Sequence, residues 1–139
     1  MSQKELQDKM VEYQMLEEKF KQLNERRELF TMRLMEIEQT EQAIEELKKS
    51  KGNDILVPLG SSLFLPGKID KKEKLVIGIG ADVALEKDVS EARKILEKRR
   101  KILEDGLENV QKNMLQIANQ MRILEPEIQK MVVKSQQTG

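Results

Sequence analysis

Gly78-Ile79-Gly80, the basic run Lys98-Arg99-Arg100-Lys101 and the lysines Lys71, Lys72 and Lys74 come nearest to carrying chemistry in this chain. Paired glycines could let a dinucleotide's pyrophosphate approach the backbone. That site needs a third glycine, but position 83 is Val, no helix opens directly behind the pair, and no βαβ unit surrounds it. They read as strand glycines at a tight turn. The basic run could hold a phosphate, but Glu97 and Glu104 flank it. A solvated helix face plus one seam arginine explains it better. The three lysines fall in an expected turn, and pairs such as Glu45-Glu46 lie on helix exteriors. The chain has no His and no Cys, so the commonest general base, the thiolate nucleophile and the usual metal ligands are missing. No enzyme, cofactor or metal is expected.

The chain has 139 residues, enough for one ordinary domain. Charged residues make up 36% and aromatics 3%, a mix that suits long solvated helices better than a compact globule. Lys+Arg and Asp+Glu both number 25, so the net charge is zero. Long-range attraction to nucleic acid or to an anionic membrane is therefore not expected of the whole chain. Neither an apolar leader nor an apolar run of about 18 residues is present, and a cytoplasmic location is expected.

The elements that must position any functional surface are two heptad arms. In the first, about Gln3 to Lys49, Leu16, Leu23, Phe30, Ile37 and Ile44 recur every seven residues, with Tyr13, Phe20, Arg27, Leu34 and Glu41 at the companion positions. Such a helix would extend about 70 Å at about 1.5 Å per residue. Gly52 is expected to cap it in a left-handed conformation. In the second arm, about Asp88 to Gln136, Leu96, Leu103, Val110, Ile117, Leu124 and Met131 keep the register beside Arg100, Leu107, Met114, Met121 and Ile128. The spacing predicts a helix start near Ser90. Gly106 lies mid-helix, and a kink or restarted helix is expected near Pro126.

Arms of similar length suggest an antiparallel hairpin with Lys49 near Asp88. Arg100 then falls beside Glu41, and the two are expected to pair and help set register. The same pairing brings Leu6, Met10 and Tyr13 beside Ile128, Met131, Val132 and Val133. Met10, Met131, Val132 and Val133 exceed what one seam absorbs, and exposed apolar surplus of this kind marks interaction surfaces.

Between the arms, Ile55–Leu59, Leu63–Ile69, Leu75–Ile79 and Val83–Lys87 read as four strands in two hairpins. Ile55-Leu56-Val57 and Leu75-Val76-Ile77 are continuously apolar, which implies burial on both faces. Two arms cannot cover both faces, and a lone hairpin is marginal in water. The cover is expected from other subunits, with strands joining a shared sheet or barrel.

Helical arm, paired hairpins, helical arm: the order resembles the α-type subunits of the prefoldin family. Leu56-Val57-Pro58-Leu59-Gly60 looks like that family's first-strand signature. Leu75-Val76-Ile77-Gly78-Ile79-Gly80, followed by Val83-Ala84-Leu85-Glu86-Lys87, looks like its second hairpin leading into the C-terminal helix. The similarity covers nearly the whole chain, and two hairpins rather than one distinguish the α from the shorter β type.

The expected fold class is α+β, mainly α: a long antiparallel coiled-coil hairpin with two β-hairpins at its closed end that join an oligomeric β-barrel hub. Residues 1–51 form the first arm, 52–87 the hairpins and 88–139 the second arm. The resemblance implies a cytosolic, ATP-independent holdase in which two α and four β subunits assemble. Coiled-coil tips would hold unfolded or nascent polypeptides and deliver them to a group II chaperonin. Client contact is assigned on this basis to Leu6, Met10, Tyr13, Ile128, Met131, Val132 and Val133. The hub is assigned to Val57, Leu59, Leu63, Leu65, Val76, Ile77 and Ile79. No nucleic acid and no membrane are expected as partners. The rival reading is a filament-forming or structural relative without client transfer.

Overall fold

Residues 3–49 contain neither Gly nor Pro and are rich in Glu, Lys, Gln and Leu, so backbone propensity favours an uninterrupted helix. The computed structural model describes residues 2–138 and has α1 at Ser2–Lys49, β1 at Asp54–Gly60, β2 at Leu63–Lys68, β3 at Lys74–Gly80, β4 at Val83–Asp88 and α2 at Val89–Thr138. No helix among the described residues is long and apolar enough to cross a membrane.

Two compact units divide the chain, one spanning Leu34–Ile102 and the other formed by the segments before and after it. In the first unit, Glu41 and Glu45 of α1 pair with Arg100 and Arg93 of α2. In the second, Lys9 pairs with Glu127, and Phe30 lies against Gly106. Within each unit the numbering rises along one helix as it falls along the other, so the helices run antiparallel. The core follows the heptad seam. Leu16, Ile37 and Ile44 of α1 and Leu96, Val110, Met114 and Leu124 of α2 are buried, joined by Val89 and Ala92 at the start of α2.

The helices end and start where the spacing places them, but α1 is not capped as expected. Gly52 does not take a positive φ; among the described glycines only Gly60 and Gly80 do. Instead Ser50 N donates to the Glu46 carbonyl at 2.9 Å, and Lys72 Nζ donates to the Ser50 carbonyl at 2.8 Å. A cation at this carbonyl-rich end is favoured by the helix dipole. Helix α2 starts at Val89 with Asp88 as its cap: Asp88 Oδ1 accepts from Glu91 N at 2.9 Å and from Ser90 Oγ at 3.0 Å. These bonds hold its carboxyl below its ordinary range. Helix α2 runs through Pro126 without a restart. Leu124 is buried and Ile128 half-buried on either side of the proline. Seam packing there outweighs the lost backbone donor.

Both hairpins are antiparallel and share one plan. Val57↔Leu65 in the first corresponds to Ile77↔Leu85 in the second, and Gly60↔Leu63 to Gly80↔Val83, with a register shift before each turn glycine. The two-residue loops Ser61-Ser62 and Ala81-Asp82 have positive φ throughout, as a turn matching the right-handed strand twist requires.

Candidate functional site

Two surfaces stand out, one in each unit. In the Leu34–Ile102 unit it is the pair of hairpins. Every residue of β1 is exposed. Gly67 faces the Ile55 and Val57 side chains, so these share one face of the hairpin. Leu56 points to the other and is 64% exposed. Both faces are therefore apolar and uncovered. Of the residues assigned to the hub, Val57, Leu59, Leu63, Leu65, Val76 and Ile79 are exposed, Val76 by 73%, and Ile77 is half-buried. Phe64, Leu56 and Leu85 are exposed beside them. All three continue the apolar strands of the two hairpins, outside the seven residues assigned to the hub.

The second hairpin is tied to the helices by hydrogen bonds. Arg99 Nη2 donates to the Gly78 carbonyl at 2.8 Å, and Val89 N donates to the Glu73 carbonyl at 3.1 Å. Leu75–Gly78 of β3 line a groove of ≈ 480 Å³ with Ile37, Ile44 and Leu47 of α1 and Ala92 and Leu96 of α2. Two members of the basic run thus have structural partners, Arg99 at Gly78 and Arg100 at Glu41. Arg100 and Glu41 are each about one-third exposed, so the pair is only partly shielded from water. Lys72, one of the turn lysines, is held at the end of α1.

In the other unit the surface lies where Leu6–Tyr13 of α1 meets Ile128–Val133 of α2. Met10, Tyr13 and Ile128 come together in a groove of ≈ 310 Å³, with Gln14, Glu17, Glu125 and Gln129 completing its lining. Met10 is 44% exposed and Val133 52%. Leu6, Met131 and Val132 are half-buried, and neither they nor Val133 line the groove. Beside it Lys9 Nζ sits 2.5 Å from Glu127 Oε2, and this bond raises the lysine's pKa. Burial pushes the Tyr13 hydroxyl up, and the charges of Glu125 and Glu17 push it further. The two glutamates escaped the sequence reading because glutamates on a helix exterior are ordinary. No group of His, Cys, Asp or Glu placed to hold a metal occurs among the described residues.

Among the described residues, neither surface brings an acid, a base and a nucleophile together. What both offer is apolar area with little cover, the chemistry of protein contact. The prefoldin subunit family model matches residues 16–134. The alpha subunit of prefoldin from Nitrosopumilus maritimus is 31% identical over 139 residues, covering 100% of this chain and 96% of that one. The alpha subunit from Pyrococcus horikoshii is 33% identical over 110 residues, 78% of this chain and 74% of that one. In fold, the chain is similar to the filamentous PFD of Methanocaldococcus jannaschii solved by cryo-electron microscopy. The TM-score is 0.71 at 20% identity, over 87% of this chain and 98% of that one. The heptad arms, the two apolar hairpins and these matches lead to one assignment: the chain belongs to the prefoldin family, among its alpha subunits.

Proposed function

We propose that this chain is an ATP-independent holdase subunit that captures non-native proteins at its coiled-coil tips and passes them to a group II chaperonin in the cytoplasm. A prefoldin alpha subunit is a chaperone subunit and works within an oligomer of prefoldin subunits. The finer assignments are ours: β-type partners, two alpha with four beta, joined through Val57, Leu59, Leu63, Leu65, Val76, Ile77 and Ile79. Leu6, Met10, Tyr13, Ile128, Met131, Val132 and Val133 hold the client.

The observation that carries the client assignment is the groove of Met10, Tyr13 and Ile128, apolar surface beyond what the buried seam residues Leu16 and Leu124 require. Methionine adapts its shape to varied apolar partners. Several weak grips on separate arms combine through effective concentration, while low affinity per arm permits release. No bond is made or broken in the client.

The test is light scattering of a denatured protein in the presence of this chain co-assembled with a β-type subunit. Aggregation is suppressed by the full assembly. Removing residues before about Gln14 and after about Pro126 abolishes suppression while native mass still reports a discrete oligomer. Full suppression by that truncation refutes the placement. An open series of masses without suppression favours the filament reading.

A further inference from the structure

The groove in the terminal unit carries a charge pattern that an apolar grip alone does not require. Its floor is Met10, Tyr13 and Ile128, its rim includes Glu17 and Glu125, and no cation lines it. Glu17 stands one heptad beyond Met10 on α1, and Glu125 one heptad before Val132 on α2. Both carboxylates thus occupy the same edge position of their helices and flank the same groove. Neither forms a salt bridge among the described residues. Such edges ordinarily carry opposite charges, whereas here both are negative. Both charges act on the Tyr13 hydroxyl, which places their field over the apolar floor. A second groove in the same unit has the opposite character, lined by Lys19 and Arg26 with Gln22, Gln116 and Gln120. The negative rim therefore belongs to one side of the helix pair.

We propose that this groove selects client segments in which an apolar side chain lies about three residues from a Lys or Arg. The apolar group enters between Met10, Tyr13 and Ile128, and the cation reaches Glu17 and Glu125. One heptad of helix is about 10 Å long, the reach of about three extended residues. The proposal rests on the client-capture reading above and adds the chemistry of the preferred segment.

The probes are two short unstructured peptides sharing a Leu-Phe-Leu anchor, one with Lys-Lys and one with Glu-Glu three residues further on. Each is titrated by fluorescence anisotropy into the full chain co-assembled with a β-type subunit. The lysine peptide binds about threefold to tenfold more tightly at low salt, and the difference shrinks at about 0.5 M salt. The double variant Glu17→Gln, Glu125→Gln binds both peptides alike and keeps its helicity. Glu17→Lys with Glu125→Lys reverses the preference. Equal binding by the unsubstituted chain, or a preference that survives the glutamine variant, overturns the proposal. Client capture by the groove is separately judged with Met10→Ser, Ile128→Ser. Loss of both affinities together with aggregation suppression upholds it. If neither peptide binds the unsubstituted assembly, the selectivity proposal falls, and client capture falls with it if suppression also survives Met10→Ser, Ile128→Ser.

Discussion

Phe30 lies against Gly106 so closely that its ring occupies the space of a side chain: a β-carbon on Gly106 would stand 2.9 Å from Phe30 Cζ and 3.0 Å from Cε1. The Arg26 guanidinium lies 5.9 Å from the centroid of the same ring, within the range of a cation–π contact. A glycine that looks like a helix defect in one dimension is the socket for an aromatic knob in three. Replacing glycine by alanine in a helix interior ordinarily stabilises by about 1 kcal/mol. Here Gly106→Ala is expected to destabilise by about 1–2 kcal/mol through overpacking. Phe30→Leu should remove most of that penalty in the double variant, read as a coupling energy from urea melts. A stabilised Gly106→Ala would show that the ring yields freely.

Glu41→Leu leaves the Arg100 guanidinium without its carboxylate in a half-buried position. A loss of about 1–2 kcal/mol follows for a charged donor left unsatisfied. The combined variant Glu41→Leu, Arg100→Leu should recover it, since an apolar pair suits the seam. Unchanged melting of Glu41→Leu would remove the pair from any role in register.

Acid should loosen the base of the helix pair. The Arg93 guanidinium holds the Glu45 carboxyl below its ordinary 4.5, and the cap bonds from Glu91 and Ser90 hold Asp88 below its ordinary 3.8. A lowered folded pKa means that the stabilisation is complete above the ordinary value and is lost as pH falls through the folded one. Melting temperature is therefore expected to be flat down to about pH 4.5 for these groups and to drop below it. Glu45→Gln and Asp88→Asn should melt lower at neutral pH and show a shallower acid drop. Parallel curves for variants and parent would assign the acid loss to other carboxylates.

Val76→Asp places a charge on a strand surface that is 73% exposed in the isolated chain. Little helicity should be lost, because most of this side chain is open to solvent. Assembly should fail, since an unpaired charge buried in a subunit interface costs several kcal/mol. Native mass and circular dichroism together decide it. An intact oligomer would exclude Val76 from the hub.

Heptad spacing named most of the seam, because burial along an amphipathic helix is a local, periodic property, although Arg27, which the spacing places there, is exposed. Leu16, Ile37, Ile44, Leu96, Val110, Met114 and Leu124 are all buried. The strands and their turns were legible for the same local reason, and the uninterrupted apolar runs already implied cover from outside the chain. The partnership of Phe30 with Gly106, the hold of Arg99 on the Gly78 carbonyl and the reach of Lys72 to Ser50 were not legible. Each joins residues far apart in sequence through one side-chain geometry, and no periodicity encodes that. Pro126 inside α2 belongs with them, since only the structure shows the helix passing through it without a restart. So does the groove where Glu17 and Glu125 meet over Met10, Tyr13 and Ile128: each residue is unremarkable on its own helix, and only the pairing of the two helices gives the groove its charge.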